Sequence, residues 1–156
     1  MTQGLTTRSI VIAAGARPFV PPLPGLQEVG YVTSDTLWEE FGKLDAVPAP
    51  LVVSGGGPIG CELAQAFARL GAQVTQVEMA ERVMLREDAD VSAMVASRFR
   101  AEGIALMTGH KAVRFLLEDG QKILIAEHAG SEVRIPFDVV LVALGRSANL
   151  TGYGLE

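Results

Sequence analysis

The stretch LVVSGGGPIGCE, residues 51–62, constrains the fold of this chain more than any other part of its sequence. A short apolar run of β-forming residues leads into three consecutive glycines, and these lead directly into a helical pattern that ends near Leu70. Gly71 is suited to end that helix, and residues 72–78 then alternate apolar and polar side chains as a strand does. The order strand, glycine turn, helix, strand predicts a βαβ unit and therefore a parallel sheet.

The spacing of the glycines indicates what this turn binds. Gly55, Gly57 and Gly60 form the pattern G-x-G-x-x-G between a predicted strand and a predicted helix. Gly55 permits the tight turn, Gly57 has no Cβ to block a diphosphate, and Gly60 lets the helix lie close to the strand. The helix N-terminus attracts phosphate, and Pro58 fits its first position because proline has no N–H. We therefore predict a dinucleotide-binding turn.

Glu78 is the acidic residue that this pattern expects about 20 residues further along the chain. Its carboxylate is expected to accept hydrogen bonds from ribose hydroxyls and to repel a 2′-phosphate, which favours NAD(H) over NADP(H). Arg82 and Arg86 lie near enough in the sequence to weaken that discrimination. The alternative is a tight turn beside a surface glutamate, with no ligand.

The rest of the chain completes an α/β pattern. Residues 9–14, SIVIAA, have the pattern of a strand buried on both faces, and the proline-rich residues 17–26 have that of an extended linker. Periodicity and capping residues predict helices at 34–41 and 88–102, strands at 104–107 and 139–144, and a β-meander within 110–138. We expect an α/β fold: a Rossmann-like three-layer dinucleotide-binding domain with a central parallel sheet and an antiparallel β-meander.

The composition excludes several classes of function. Thirteen basic residues against 18 acidic ones give a net charge of -5, so we expect no nucleic-acid or membrane partner. The start of the sequence lacks a basic region followed by a signal-type apolar core, and we expect a cytoplasmic protein. Cys61 is the single cysteine, which excludes an internal disulfide. We predict no metal site and no catalytic residue, since His110 and His128 have the pattern of solvated or hydrogen-bonded loop histidines.

Three segments carry a resemblance to a known family: SIVIAAGARPFVPPLPG, then GGGPIGCELAQAFARLGAQVTQVE, then FDVVLVALGRSAN. They are similar to the last strand of the FAD domain, the NAD-binding glycine pattern and the segment that closes the NAD domain of the flavin-dependent pyridine nucleotide-disulfide oxidoreductases. That family includes dihydrolipoamide dehydrogenase, glutathione reductase and mercuric reductase. The sequence of these segments is most similar to that of bacterial mercuric-reductase-like members, and the resemblance covers nearly the whole chain.

The resemblance implies a role for each matching residue. The residues implied to line the NAD diphosphate are Gly55, Gly56, Gly57, Pro58, Ile59, Gly60 and Glu62. Glu78 would bind the adenosine ribose and Ala112 would abut the adenine. The residues implied to lie against the nicotinamide half are Ala143, Leu144, Gly145 and Arg146. Those implied to touch FAD are Ala14, Gly15 and Ala16.

Some positions admit a second interpretation or depart from the family. Glu62 resembles the family's helix glutamate that pairs with a lysine beside the flavin; the alternative is an acid in the first helical turn, stabilised by the helix dipole. Pro58 stands where some relatives carry an aromatic gate over the nicotinamide pocket. Leu144 replaces the usual Thr, and Ala148 replaces the usual Pro. The changes at Pro58 and Leu144 affect the nicotinamide side of the site.

By resemblance, the chain is the middle piece of a larger flavoprotein. We expect a remnant FAD-domain strand at 1–17, a linker with a short helix at 18–50, an NAD(P)-binding domain at 51–146 and a tail at 147–156. The sequence has no second glycine pattern for FAD, no redox cysteine pair and no His-x-x-x-x-Glu segment. We therefore expect a truncated piece or gene fragment that binds NADH without turnover, with FAD bound only in the intact enzyme.

Two other functions fit the same residues. The chain could be a standalone NAD-sensing or interaction module without catalysis, or its glycine pattern could bind FAD, because both cofactors use the same turn and acid. A strand ending at Gly15 argues against FAD, since an FAD site more often opens a chain.

If the sheet that receives residues 9–14 is absent, they must pair elsewhere, so we expect a homodimer or strand exchange. The other expected partners are a nicotinamide dinucleotide and the missing FAD and dimerisation domains.

Overall fold

The computed structural model describes residue 4 and residues 6–154 of the chain. The helices are α1 (Leu26–Val29), α2 (Leu37–Phe41), α3 (Pro58–Arg69) and α4 (Ala89–Ala101). The strands are β1 (Ala16–Pro18), β2 (Val32–Thr33), β3 (Leu51–Ser54), β4 (Val74–Val77), β5 (Ala105–Met107), β6 (Lys111–Glu118), β7 (Gln121–His128), β8 (Ser131–Phe137), β9 (Val139–Val142) and β10 (Arg146–Ala148). Among the described residues, no helix is long and apolar enough to cross a membrane.

Five strands form a parallel sheet in the order β2-β9-β3-β4-β5. Its central strand, β3, has Leu51 beside Val74 on one side and beside Val139 on the other. All four residues of β3 are buried, as expected for a parallel strand covered on both faces. The chain leaves β3 toward β4 and returns much later as β9, so the strand order changes direction between β3 and β9, where ligands bind in folds of this type.

Two separate hydrophobic layers cover the two faces of this sheet. Leu51 and Val53 of β3 belong to the layer that contains Phe67 of α3. Val52, between them, belongs to the layer that contains Phe115 of the antiparallel sheet β6-β7-β8. Alternate side chains of one strand therefore enter different cores, as the two-residue period of a strand requires. The predicted α/β fold, with a parallel sheet, covering helices and an antiparallel meander, is confirmed.

The turns of the meander follow from its sequence. Asp119 and Gly120 join β6 to β7 with φ angles of 49° and 81°. Ala129 and Gly130 join β7 to β8 with φ angles of 48° and 78°. Positive φ at both central residues is typical of a type I′ turn, whose twist matches that of an antiparallel pair.

The prediction of a buried strand at residues 9–14 is wrong. The side chains of Ile10, Val11 and Ile12 are 69%, 88% and 54% exposed, and no strand forms there. The chain instead enters a two-stranded antiparallel ribbon at β1, where Ala16 pairs with Ala148 of β10. An apolar run becomes a buried strand only if a sheet edge and a second layer receive it, and the described part of the chain provides neither for these residues.

Residues 18–50 contain more structure than the predicted linker with one helix. The helix expected within 34–41 is present as α2, but α1 and β2 are additional. β2 extends the parallel sheet, with Val32 beside Leu141 of β9. Leu26 and Val29 of α1 are 1% and 3% exposed because they pack in the meander layer. The segment is thus packed onto both the parallel sheet and the meander.

A charged cluster around Glu102 joins the ends of α3 and α4. Its carboxylate accepts hydrogen bonds from Arg69 at 2.7 and 3.2 Å, from Gln65 at 3.0 Å and from Arg98 at 2.5 Å. The side chain of Glu102 is 14% exposed. Its hydrogen bonds, that from Arg69 first, lower the pKa of Glu102 to about 2.

We predict that Glu102→Gln makes the stability of the fold less dependent on acid pH. The folded pKa of about 2 lies below the value of about 4.3 expected in the unfolded chain, so the stabilisation is complete at neutral pH and is lost as pH falls from about 5 toward 2. In urea unfolding, the variant should be less stable than the wild type at pH 7, and the difference should shrink by pH 3. Glu40→Gln, which removes an exposed ion pair between α2 and Lys43 just after it, is the control and should change little. A difference that stays constant across this pH range would contradict the prediction.

Candidate functional site

A cavity of about 800 Å³ lies at the carboxyl ends of β3, β4 and β9, where the strand order changes direction. The predicted site residues that line it are Gly55, Gly56, Gly57, Pro58, Ile59, Glu78, Ala143, Leu144, Gly145 and Arg146. Those that do not line it are Gly60, Glu62, Ala112, Ala14, Gly15 and Ala16. Lining residues that the sequence did not assign to the site are Pro18, Phe19, Ser34, Arg82, Met84, Leu85, Arg86, Glu87, Val142 and Ser147.

Two of the glycines are required by the packing of the turn. Gly55 has a φ of 117°, and a Cβ there would lie 2.4 Å from the carbonyl oxygen of Ala143. A Cβ on Gly60 would lie 2.2 Å from the carbonyl oxygen of Gly55. Such distances exclude any side chain at either position. Gly60 therefore does not line the cavity, but its lack of a side chain lets α3 begin directly against the strand.

Gly57 differs from both, because no atom lies within 4 Å of the position that its Cβ would occupy. It is the N-cap residue of α3, and being glycine it supplies no side-chain cap to the first N–H groups of the helix. Those N–H groups have no partner within the helix and carry partial positive charge. The absence of a side chain at Gly57 therefore leaves an open, electropositive surface inside the cavity.

A small polar cluster supports the turn from below. Gln76 of β4 is fully buried and its Nε2 donates a hydrogen bond of 2.9 Å to the carbonyl oxygen of Gly55. The Cys61 thiol donates to the carbonyl oxygen of Gly56 at 3.4 Å, and burial raises the pKa of this thiol. Cys61 is therefore a packed, protonated side chain under the turn. The available signal for Gln76 was its position, two residues after Val74, where the alternation of this strand would place an apolar side chain.

Glu78 lies just after β4 and faces the glycine turn. Its Oε2 accepts a hydrogen bond from the backbone N–H of Gly56 at 2.5 Å, and its Oε1 accepts one from the N–H of Ala80 at 2.7 Å. A Cβ on Gly56 would lie 2.9 Å from Cγ of Glu78. The carboxylate is thus held at the mouth of the turn by two backbone donors.

Arg146 lines the cavity, but its guanidinium joins the ribbon to the body of the fold. It donates to Asp35 Oδ1 at 2.9 Å, to Ser34 Oγ at 3.2 Å and to the carbonyl oxygen of Ala16. The hydrogen bond from Arg146 is the main cause of the lowered pKa of Asp35. Arg146 therefore connects β1, β10 and the segment before α2 at one edge of the cavity.

The remaining predicted residues lie elsewhere. Glu62 is exposed on the first turns of α3, and Ala112 of β6 packs against the meander layer. The rings of His110 and His128 stack at a centroid separation of 4.0 Å, and their Nδ1 atoms contact the carbonyl oxygens of Thr108 and Gly109. No group of three or more metal-ligating side chains occurs within residues 6–154 or at residue 4.

Comparison with known proteins places this geometry in a family. Residues 2–156 match the family described as pyridine nucleotide-disulphide oxidoreductase. The chain is 36% identical over 154 residues to a mercuric reductase of Staphylococcus aureus, covering 99% of this chain and 27% of that protein. It is 34% identical over 154 residues to a dihydrolipoyl dehydrogenase of Thermus scotoductus, covering 96% of this chain and 32% of that protein.

Solved structures give the same result. The HOCl-induced flavoprotein disulfide reductase RclA from Escherichia coli superposes with a TM-score of 0.74 at 32% identity, covering 86% of this chain and 29% of that one. A NAD-dependent persulfide reductase from A. fulgidus superposes with a TM-score of 0.72 at 29% identity, covering 86% of this chain and 25% of that one. The chain spans about a quarter to a third of the length of the relatives it matches. This protein belongs to the pyridine nucleotide-disulphide oxidoreductase family.

Proposed function

We propose that this chain is the NAD(H)-binding domain of a flavin-dependent pyridine nucleotide-disulfide oxidoreductase. The observation that carries the proposal is the open N-terminus of α3 at Gly57, with Glu78 held beside it at the end of the neighbouring strand. When bound, NADH supplies a hydride that the flavin of the intact enzyme accepts. The chain by itself binds the dinucleotide, and the residues that handle the electron acceptor belong to other parts of the enzyme.

The cavity fits a dinucleotide diphosphate in shape and in charge. Gly57 leaves room for the phosphates, and the N–H groups of the first turn of α3, which have no partner within the helix, are donors suited to phosphate oxygens. The turn is rigid, because Gln76 holds the carbonyl of Gly55 and Glu78 holds the N–H of Gly56. A site that is already ordered loses little entropy when a ligand binds.

Glu78 favours NADH over NADPH by two effects. Its carboxylate oxygens are acceptors at the mouth of the turn, suited to the hydroxyls of the adenosine ribose. Its negative charge disfavours a 2′-phosphate beside it, whereas Arg82 and Arg86, which also line the cavity, act in the opposite direction. Ala143, Leu144 and Gly145 form the opposite wall, which we assign to the nicotinamide half.

We predict that the purified chain binds NADH more tightly than NADPH and that Glu78→Ala abolishes the preference. Removing a charged acceptor from two ribose hydroxyls should weaken NADH binding roughly 10-fold or more. The affinity for NADPH should rise, because the carboxylate no longer repels its 2′-phosphate. Fluorescence titration of both nucleotides measures this. Glu62→Ala, which removes an exposed carboxylate of α3 outside the cavity, is the control and should keep the preference. An unchanged preference in Glu78→Ala would contradict the role of Glu78.

FAD is the second candidate for the glycine turn, because it uses the same turn and acid. The argument against it from a strand ending at Gly15 no longer applies, since residues 9–14 form no strand. Adding FAD during purification and in the same titration shows which of the two cofactors binds. FAD that stays with the protein, seen by its absorbance, and blocks NADH binding would favour FAD, whereas NADH binding undisturbed by FAD favours the main proposal.

A standalone NAD-binding module would also bind NADH, but a gene that encodes no flavin domain would distinguish this alternative from the main proposal.

We also propose how the chain fits into the whole enzyme. Residues 51–146 are the NAD domain, residues 18–50 lead into it, and residues 1–17 and 147–156 connect it to an FAD domain. The paired strands β1 and β10 lie where those two connections meet. The intact enzyme is a homodimer in this proposal. We place it in the cytoplasm, where the single free thiol of Cys61 would stay reduced.

The exposed apolar run at Ile10, Val11 and Ile12 should make the isolated chain self-associate. We predict that the wild-type chain sediments as a dimer and that the triple variant Ile10→Ser, Val11→Ser, Ile12→Ser sediments as a monomer, because the variant removes the apolar surface to be buried. Leu70→Ser, at a leucine that is 64% exposed at the end of α3, is the control and should remain a dimer. A wild-type chain that is monomeric at high concentration would contradict this proposal.

A further inference from the structure

The outer wall of the cavity is a short loop after β4, defined here as the wall loop, residues 82–87. Five of its six residues line the cavity. The exception, Val83, is 1% exposed and packs in the layer of the helices. The wall loop therefore has one buried anchor, and the rest of it faces the proposed dinucleotide.

The wall loop is fastened to the body of the fold at two points. The N–H of Met84 donates a hydrogen bond of 2.7 Å to the carbonyl oxygen of Gly56 in the glycine turn. The buried hydroxyl of Ser92 in α4 donates one of 2.7 Å to the carbonyl oxygen of Val83. Met84 has a φ of 52°, an unfavourable conformation for a residue with a side chain, so the loop needs further interactions to keep this shape.

Arg82 provides those interactions. Its guanidinium donates to the carbonyl oxygens of Leu85 at 2.9 Å, of Glu87 at 3.0 Å and of Met84 at 3.4 Å. The planar fork of an arginine can satisfy several carbonyls at once, whereas the ammonium of a lysine cannot reproduce that arrangement. The side chains of Leu85, Arg86 and Glu87 are exposed, so packing contributes little to the order of this part of the loop.

We propose that Arg82 is a positioning residue for dinucleotide binding, an inference that rests on the proposed function. Its guanidinium binds the carbonyls of the wall loop and thereby holds the loop as a preformed side of the cavity. These hydrogen bonds use three of the five N–H donors of the guanidinium. Arg82 thus contributes to NADH binding by fixing the backbone of the wall loop. A positive charge at this position without the guanidinium fork does not substitute for it.

Three variants of the full chain separate geometry from charge. Arg82→Gln removes both, Arg82→Lys keeps the charge without the fork, and Arg86→Gln removes one charge from the same loop. Arg86 makes no hydrogen bond or ion pair with any residue of the described part of the chain. The variant Arg86→Gln therefore reports how much a positive charge on the wall loop contributes to NADH binding by electrostatic attraction alone.

We expect Arg82→Gln and Arg82→Lys to weaken NADH binding to a similar extent, roughly 10-fold, because the loop must be ordered anew in each binding event. The loss should arise from faster dissociation of NADH in stopped-flow measurements, with the midpoint of urea unfolding nearly unchanged. Arg86→Gln should weaken binding less, about 2- to 3-fold, and that loss should shrink at high salt. Hydrogen exchange at the Glu87 amide, which donates to Met84, should become faster in both Arg82 variants.

The outcomes separate this inference from the proposed function. If Arg82→Lys binds NADH as the wild type does, charge suffices and the positioning role is overturned. If Arg82→Gln loses no more affinity than Arg86→Gln, it is overturned as well. If the wild-type chain does not bind NADH, the proposed function fails, and the role of Arg82 in binding fails with it.

Discussion

The close contact between the start of α3 and the end of β3 is the constraint on which the rest of the site depends. A Cβ on Gly60 would lie 2.2 Å from the carbonyl oxygen of Gly55, so only a residue without a side chain lets the helix begin there. The same carbonyl accepts a hydrogen bond from buried Gln76, which fixes the turn on the neighbouring strand β4. As a result, the N-terminus of α3 opens at the carboxyl edge of the sheet, where the strand order changes direction.

The electrostatics of the cavity follow from this placement. The N-terminus of α3 carries partial positive charge, and Gly57 leaves it accessible. Glu78 adds a carboxylate at the mouth of the same turn, held by the N–H groups of Gly56 and Ala80. The cavity therefore offers donors suited to phosphate oxygens and, beside them, acceptors suited to hydroxyl groups. This pairing of opposite preferences is the chemistry by which a dinucleotide is recognised.

The sequence predicts those features that depend on local patterns. The helix predicted from Pro58 to Leu70 is observed as α3 (Pro58–Arg69), because glycine and proline mark its start and apolar residues recur along one face. The three β-runs of the meander and the turns between them are confirmed; Asp119, Gly120 and Gly130 are residues that accept positive φ, whereas Ala129 adopts it less favourably. The position of Glu78 at the mouth of the turn follows from its distance along the chain.

Features that depend on tertiary partners were not predictable. Residues 9–14 have the composition of a buried strand, but burial requires a neighbouring sheet edge, and the described residues supply none. β2 and β10 have two and three residues, too few for any periodicity, and their pairing decides their conformation. The wall loop has no pattern that would reveal hydrogen bonds from Arg82 to its carbonyls. Five residues of the cavity lining were not assigned to the site for this reason.

Binding of NADH to Gly57→Ala tests the central claim, that the dinucleotide diphosphate lies on the open N-terminus of α3, most directly. The backbone at Gly57 has a φ of -77° and nothing lies within 4 Å of the added methyl group, so the fold should lose no more than about 1 kcal/mol from the poorer cap. The methyl group would occupy the space assigned to the phosphates. Loss of NADH binding by a variant that unfolds nearly as the wild type does is the predicted result, and unchanged NADH affinity would contradict the claim.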